Sequence, residues 1–354
     1  MSSYAFWNNK GGVGKSFLCF VAASEYAHRH PDTDVYVIDL CPQANVSETL
    51  FGGYLSSPNA IHSLTSKTPR ATVAGYLEAR LNSPFRMIED VSPYLCEPRK
   101  FNPNIPDNLR LICGDNLLEI ISEAIRQTSQ LSIPIDAWKQ VISWVYDLTV
   151  ALRKQSGDRD SLFVIDCNPS FAIYTQLALV AAQGVVVPFT ADDSSRRAIE
   201  NVVALLYGLT DPHTAAYARI SFAKRAKEDG VSIPKLHTFV SNRVTLYEGQ
   251  ASKAFKAVNK TIKQTMDDIH KKHRHIFANP KESPSNSFIE ILLPSNSFIE
   301  IPDYHSACVV SATTGTPLHK LTPGPKNIVG ERVQLNPEPL KRYRDALEQF
   351  VNCL

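Results

Sequence analysis

At 354 residues the chain can hold one large α/β domain or two ordinary ones, and its 44% hydrophobic and 20% charged content describes a soluble globular protein with ample core. Thirty-seven basic residues against 35 acidic ones leave a net charge of +2, too mild to announce a nucleic-acid partner without a local patch. Seven cysteines without a C-x-x-C pair argue against a zinc or disulfide framework and for reduced thiols in a cytoplasmic setting. The first residues lack the basic and long apolar regions of a signal peptide, and no run approaches the roughly 18 apolar residues that span a bilayer.

In chain order, Ser3 to Trp7 reads as a short strand feeding a Gly-rich turn, and residues 16–30 read as a helix of apolar and small residues. The continuous apolar run DVYVIDL (34–40) has the length of a strand buried on both faces, which completes a βαβ unit. Residues 52–107 carry seven prolines and one helical pattern, at 72–81, and are expected to form a surface insertion. Further strands are expected at 109–113, 162–166, 184–189 and 236–241, with helices at 114–128, 136–155, 172–182, 195–208 and 247–275. This alternation predicts an α/β fold: one domain over 1–354, with a doubly wound, mostly parallel sheet and helices on both faces. PSNSFIEI occurs twice, at 284–291 and 294–301. Two copies are too few for a solenoid, so a local duplication extending a hairpin or an edge strand is expected.

The stretch NNKGGVGKS (8–16) ends like a P-loop but has Asn9 where G-x-x-x-x-G-K-[ST] wants glycine, and it carries a second lysine, Lys10. Backbone N–H groups of Gly11, Gly12, Val13 and Gly14 can form a concave nest for phosphate oxygens, with the positive end of the following helix aimed at the same place. Lys15 would supply charge to the β- and γ-phosphates of a nucleotide, and the Ser16 hydroxyl would coordinate Mg²⁺. Lys10 lies upstream of the nest and cannot easily fold back onto its own loop's phosphates. Either it reaches a nucleotide held by a facing subunit, on the logic of an arginine finger, or it is a solvated lysine beside an anion.

NKGGVGKS resembles the deviant Walker A motif, K-G-G-x-G-K-[ST], of the ParA/MinD/Soj family of partitioning and positioning ATPases. Later blocks agree in order: VIDLCPQANVSETL (37–50) resembles the second motif, LFVIDCNPSFAIYTQLAL (162–179) the Walker B segment, and FIEIPDYHSACVVSATTGTPLHKL (298–321) the late I-P-x-x region. The resemblance implies a P-loop NTPase of the deviant Walker A type using ATP and Mg²⁺. It implies Lys10 as the signature lysine crossing an ATP-sandwich homodimer, and Lys15 with Ser16 in the roles above. Asp166 would hold the magnesium shell through water. Residues 10–16 and Phe17 would contact the nucleotide, and Asn242, Arg243, Pro302 and Asp303 would lie against adenine.

Two departures stand out. The family's second motif reads D-x-D, its second aspartate being associated with positioning the attacking water, but here the stretch is Asp39-Leu40-Cys41. A neutral thiol accepts a water hydrogen bond poorly, and losing such a group typically costs about 10²–10⁴ in rate. Either Asp39 or a neighbour substitutes, leaving a slow ATPase, or the protein binds ATP and dimerises with little turnover. Asn168 also stands where the family usually has proline.

The helix expected at 247–275 places Lys253, Lys256, Lys260 and Lys263 on one stripe, with Phe255, Val258, Ile262, Met266 and Ile269 nearly opposite. By itself such a stripe reads as a solvated face. The resemblance adds the expectation of DNA binding without sequence preference, which phosphate contacts would make strongly salt-dependent. It also implies a ParB-type adaptor that stimulates hydrolysis, and a cytoplasmic, nucleoid-associated location. No helix-turn-helix region precedes the P-loop in this sequence. The C-terminal segment PLKRYRDALEQFVNCL mixes charges of both signs on its polar face, so a core-packing helix is expected there rather than a MinD-like membrane anchor. The expectation is therefore a ParA-like, ATP-dependent dimerising switch that partitions DNA or positions a cargo. The alternatives are a hydrolysis-poor ATP sensor that recruits another effector and a membrane-positioning ATPase.

Overall fold

Apolar runs decide where the chain enters the interior, and the alternation of side chains along each run decides which core it feeds. The computed structural model describes residues 1–208, 221–244, 246–247, 250–251, 253–278 and 297–354. The first half contains β1 (Ser2–Phe6), α1 (Lys15–Arg29), β2 (Thr33–Leu40), α2 (Asn45–Leu50), α3 (Ser57–Thr65), α4 (Val73–Asn82), β3 (Leu95–Cys96), β4 (Leu109–Ile112), α5 (Leu117–Thr128), α6 (Ala137–Ile142), α7 (Trp144–Gln155) and β5 (Asp160–Cys167). Then come α8 (Ile173–Ala181), β6 (Gly184–Thr190), α9 (Asp193–Tyr207), α10 (Phe222–Glu228), β7 (Lys235–Val244), β8 (Leu246–Tyr247), β9 (Gln250–Ala251) and α11 (Lys253–Lys272). The chain closes with β10 (Phe298–Pro302), α12 (His305–Thr314), β11 (Gly324–Ile328), β12 (Glu331–Leu335) and α13 (Pro337–Val351).

Among the described residues, eight strands form one sheet in the order β10-β7-β6-β1-β5-β2-β4-β3, all parallel except the short β3, which runs antiparallel to β4. The doubly wound reading holds. Within β2, Tyr36, Ile38 and Leu40 enter one core while Val35 and Val37 enter the other. Strand β1 likewise sends Ala5 to one face and Tyr4 and Phe6 to the other. Helices α4 to α9 and α11 cover the first face, and α1, α12 and α13 cover the second. Strand β1 sits between β5 and β6, where the winding direction changes, so the loop after it opens into the crevice where such sheets bind ligands.

Two expectations need correction. Residues 52–107 are not a surface insertion: Ala60 and Leu64 enter one core, Val73, Tyr76 and Leu77 the other, and β3 extends the sheet. Tyr76 donates to the Trp144 carbonyl at 2.7 Å, and the buried Arg80 pairs with Asp147 at 2.7 Å. The prolines here punctuate short packed elements. The helix expected from 247 begins at Lys253, preceded by the two-stranded ribbon β8–β9. As expected, Ile262 and Met266 of α11 are buried, and Leu340, Tyr343, Leu347 and Phe350 of α13 pack inward. No described helix is long and apolar enough to cross a membrane.

The first copy of the repeat, 284–291, lies outside the described residues. The second copy supplies the edge strand, with Ile299 and Ile301 buried and Glu300 accepting a hydrogen bond from Asn259 Nδ2 at 2.7 Å. Deleting residues 284–293 removes the first copy and leaves this strand sequence intact; the shorter chain between α11 and β10 changes the closure entropy by about 1 kcal/mol or less. The shortened protein is therefore expected to unfold in urea at nearly the full-length midpoint, and a large loss of stability would show that the first copy is structurally required.

Candidate functional site

Strand β1 delivers the Gly-rich loop to the centre of the sheet's C-terminal edge. Gly12 and Gly14 have φ of 73° and 88°, and a β-carbon on Gly14 would come within 2.3 Å of Asn242 Nδ2. Glycine is required at 14 for both reasons. The loop is pinned by Asn8, whose Nδ2 donates to the Pro188 carbonyl at 2.8 Å and whose Oδ1 accepts from the Lys10 amide at 3.1 Å. Asn242 Nδ2 holds the other limb by donating to the Val13 carbonyl at 3.0 Å. Helix α1 then starts with neither a side-chain cap nor an acidic residue in its first turn, which leaves amide donors directed at the loop's concavity.

Lys15 is buried, and its Nζ donates to the Lys10 carbonyl at 3.0 Å. Burial pushes its pKa down, while Asp166 and the thiols of Cys167, Cys41 and Cys19 pull the other way. Asp166, the penultimate residue of β5, is in register with both Phe6 and Asp39 and fully buried, and neither carboxylate oxygen has a hydrogen-bond partner. Burial pushes its pKa up to about 6, against the lowering influence of the Ser16 hydroxyl and the Lys15 ammonium. A buried carboxylate left without donors beside a serine hydroxyl is a fitting place for a hydrated Mg²⁺ ion.

Asp39 is held by the loop that follows it. Its Oδ1 accepts from the Cys41 amide at 3.0 Å, and its Oδ2 accepts from the Ser47 amide and hydroxyl at 3.1 and 2.7 Å. Ser47 Oγ in turn accepts from the Gly114 amide at 3.0 Å. Burial and the Asp166 charge lift Asp39 to about 7, opposed by these donors. Both oxygens are committed to organising the 41–47 loop, so Asp39 is poorly placed to substitute for the missing acid. Cys41 is buried, and burial with the Asp39 and Asp166 charges pushes its thiol up to about 12, which keeps it neutral. Two more thiols approach this centre, which the sequence reading had not singled out. Cys167 is the register partner of Leu40, and Cys19 lies one helical turn beyond Lys15.

Lys10 was expected to reach outward. In this single chain its Nζ instead ion-pairs with Asp192 and lies 3.3 Å from Thr190 Oγ1 and 3.5 Å from Ser195 Oγ, at the corner between β6 and α9. Asp192 went unnoticed in the sequence, although TADDSS carries the signature of a helix N-cap. The four candidate adenine positions do come together: Pro302 pairs with Val244, and the Asp303 amide donates to the Val244 carbonyl at 2.9 Å, directly after Asn242 and Arg243. Phe17 is half-buried and packs at a tilt on Phe20, their ring centres 6.4 Å apart. Lys256, Lys260 and Lys263 are exposed on α11 and line a groove of about 710 Å³ with Phe298 and Glu300, with no residue of the Gly-rich loop in its lining; the Lys253 side chain lies outside the described residues.

No protein-family model matches the sequence, and no curated protein matches it. Solved structures do. An ATP complex of McdA from Cyanothece superposes with a TM-score of 0.59 at 13% identity, covering 100% of this chain and 95% of that one. Apo McdA from Cyanothece gives 0.56 at 14%, covering 98% and 99%. A plasmid partition protein from Borrelia burgdorferi B31 bound to AMPPNP gives 0.54 at 15%, covering 100% and 99%. At these identities the likeness establishes the fold, which is that of the McdA and plasmid-partition proteins over nearly the full chain.

Replacing Asp166 by asparagine removes a buried charge that has no donor. Asp166→Asn is expected to stabilise the nucleotide-free protein by about 1–3 kcal/mol. It is also expected to abolish any further stabilisation by ATP with Mg²⁺. Thermal unfolding with and without ATP and Mg²⁺ reads both effects.

Proposed function

We propose that the chain is a ParA-like, ATP-dependent dimerising switch that positions or partitions a cargo, with slow ATP turnover. The observation that carries this reading is the buried, unpartnered Asp166 carboxylate facing the Lys15 ammonium at the mouth of an uncapped phosphate loop. ATP complexes of proteins with the same fold support a nucleotide in that place. Gly11 to Gly14 would cradle the phosphates, Lys15 would neutralise their charge, and Ser16 with Asp166 would hold Mg²⁺. Held there, Mg²⁺ would supply positive charge against the negative charge of the phosphates. Asn242, Arg243, Pro302 and Asp303 would border the base, and Lys10 would serve the nucleotide of a facing subunit.

Hydrolysis needs a group that orients water, and the side chains nearest that task are a neutral thiol at Cys41 and a carboxylate at Asp39 already committed to three donors. This favours slow turnover, and it equally supports a second reading, an ATP sensor that scarcely hydrolyses and recruits another effector. Measuring ATP turnover beside ATP-dependent dimerisation, with and without DNA, separates the two. Clear dimerisation without detectable hydrolysis would favour the sensor. Cys41→Asp is expected to raise turnover by about 10²-fold or more, and an unchanged rate would place the deficit elsewhere.

The lysines of α11 support a DNA surface in the ATP-bound dimer, and a ParB-type adaptor would accelerate reopening. Binding to arbitrary duplex DNA is expected to weaken by about 10³-fold or more between 50 and 200 mM salt if six or more phosphates are neutralised per dimer. Combined substitution of Lys256, Lys260 and Lys263 by glutamine should flatten that slope; an unaltered slope would show that this groove is not the DNA face.

A further inference from the structure

We propose that His28 and His319 form a pH-sensitive clasp between the last turn of α1 and the turn Leu318–Lys320, closed while His28 is neutral and opened when it takes up a proton. The inference is independent of the nucleotide reading. The two imidazole rings lie face to face, their centres 3.9 Å apart and their planes 4° from parallel. His319 sits in a short turn between α12 and β11, and Glu25, a buried carboxylate of α1, holds it from behind. Glu25 Oε1 accepts from the His319 amide at 3.0 Å and from His319 Nδ1 at 2.9 Å. An ionised carboxylate can only accept, so Nδ1 carries a proton and the ring's orientation is fixed. The stack is the contact left to respond to pH.

Three elements supply the charges around it. Glu25 and Arg29 come from α1, His319 and Lys320 from the turn, and Arg344 and Glu348 from α13, where they line a 250 Å³ cavity with Glu25 and His319. The last two are engaged: Arg344 Nε donates to the Leu318 carbonyl at 3.0 Å, and Glu348 pairs with Arg29 at 3.3 Å. Burial of the covered ring face, with the His319, Arg29 and Lys320 charges, pushes the pKa of His28 down, while Glu25 pulls it up. A base held below its ordinary value of 6.5 stabilises the fold fully above that pH and loses the contribution as the pH falls beneath it. His28 is exposed at the surface, so protons reach it directly. With both rings charged, like charges 3.9 Å apart replace a favourable stack. Acid therefore loosens the turn from α1, the helix that begins at Lys15.

The His319 amide is one bond of the clasp, so its exchange with deuterium reports opening. Mass spectrometry of peptides covering 318–320, corrected for the intrinsic effect of pH on exchange, reads it in the full chain. Between pH 7.5 and 5.0 the protection is expected to fall about three- to fivefold in the wild type. His28→Phe keeps an aromatic ring for the stack and binds no proton, so its protection should stay constant over the same range. Asp39 and Asp166, pushed up to about 7 and about 6, also titrate in this window. Acids with raised values favour the fold as the pH falls, so they cannot produce a loss in acid, and titration elsewhere cancels between the two proteins. A second measurement needs only the wild-type fold: the His28 Cε1–H resonance should titrate with a midpoint below 6.5. Wild-type protection that does not fall, an equal fall in His28→Phe, or a His28 midpoint at or above 6.5 overturns the clasp.

Discussion

A carboxylate and an ammonium taken out of water at the centre of one sheet edge organise this molecule. Asp166 lies next to the end of β5 and Lys15 at the start of α1, both buried; Lys15 Nζ finds the Lys10 carbonyl, and the Asp166 oxygens have no hydrogen-bond partner. Isolated buried charge of this kind costs several kcal/mol unless something completes it. A phosphate with its metal would do so, since one brings negative charge to the lysine and the other brings positive charge to the aspartate. The surrounding architecture keeps that gap open: Asn8 and Asn242 stretch the loop between neighbouring strands, and α1 begins uncapped beneath it.

The same edge divides two kinds of work between residues that look alike in one dimension. Asp39 and Asp166 are register partners on adjacent strands, each one residue before the strand's end. One is saturated by the loop that follows it, and the other is left bare. The two lysines of the loop divide similarly, one pointing into the cradle and one held aside at the β6–α9 corner. Beside them Cys41 is a buried thiol that burial and the neighbouring carboxylates keep neutral.

Much of this was legible before folding because it depends on local pattern. Continuous apolar runs at 34–40, 162–166 and 184–189 became central strands, and the Gly-rich turn opened a helix where expected. The segment 52–107 misled because proline density reads as exposure, whereas here prolines delimit short elements whose apolar residues reach both cores. The start of α11 was also misplaced. Residues 246–247 pair with 250–251 as a ribbon, and pairing between strands leaves no 3.6-residue trace in a sequence.

What the sequence by itself determined is the chemistry on offer: a phosphate loop, two lysines, a strand-end aspartate and a cysteine where an acid is expected. Those features are set by residue type and by spacing along a few turns or strands, which local geometry preserves. Only the tertiary structure decided which charges meet. Residues 10 and 192 are far apart in the chain, and so are 13 and 242; their contacts exist because parallel strands bring distant C-terminal ends together. Whether a carboxylate is free or committed depends on those long-range neighbours and on burial, neither of which a linear pattern encodes.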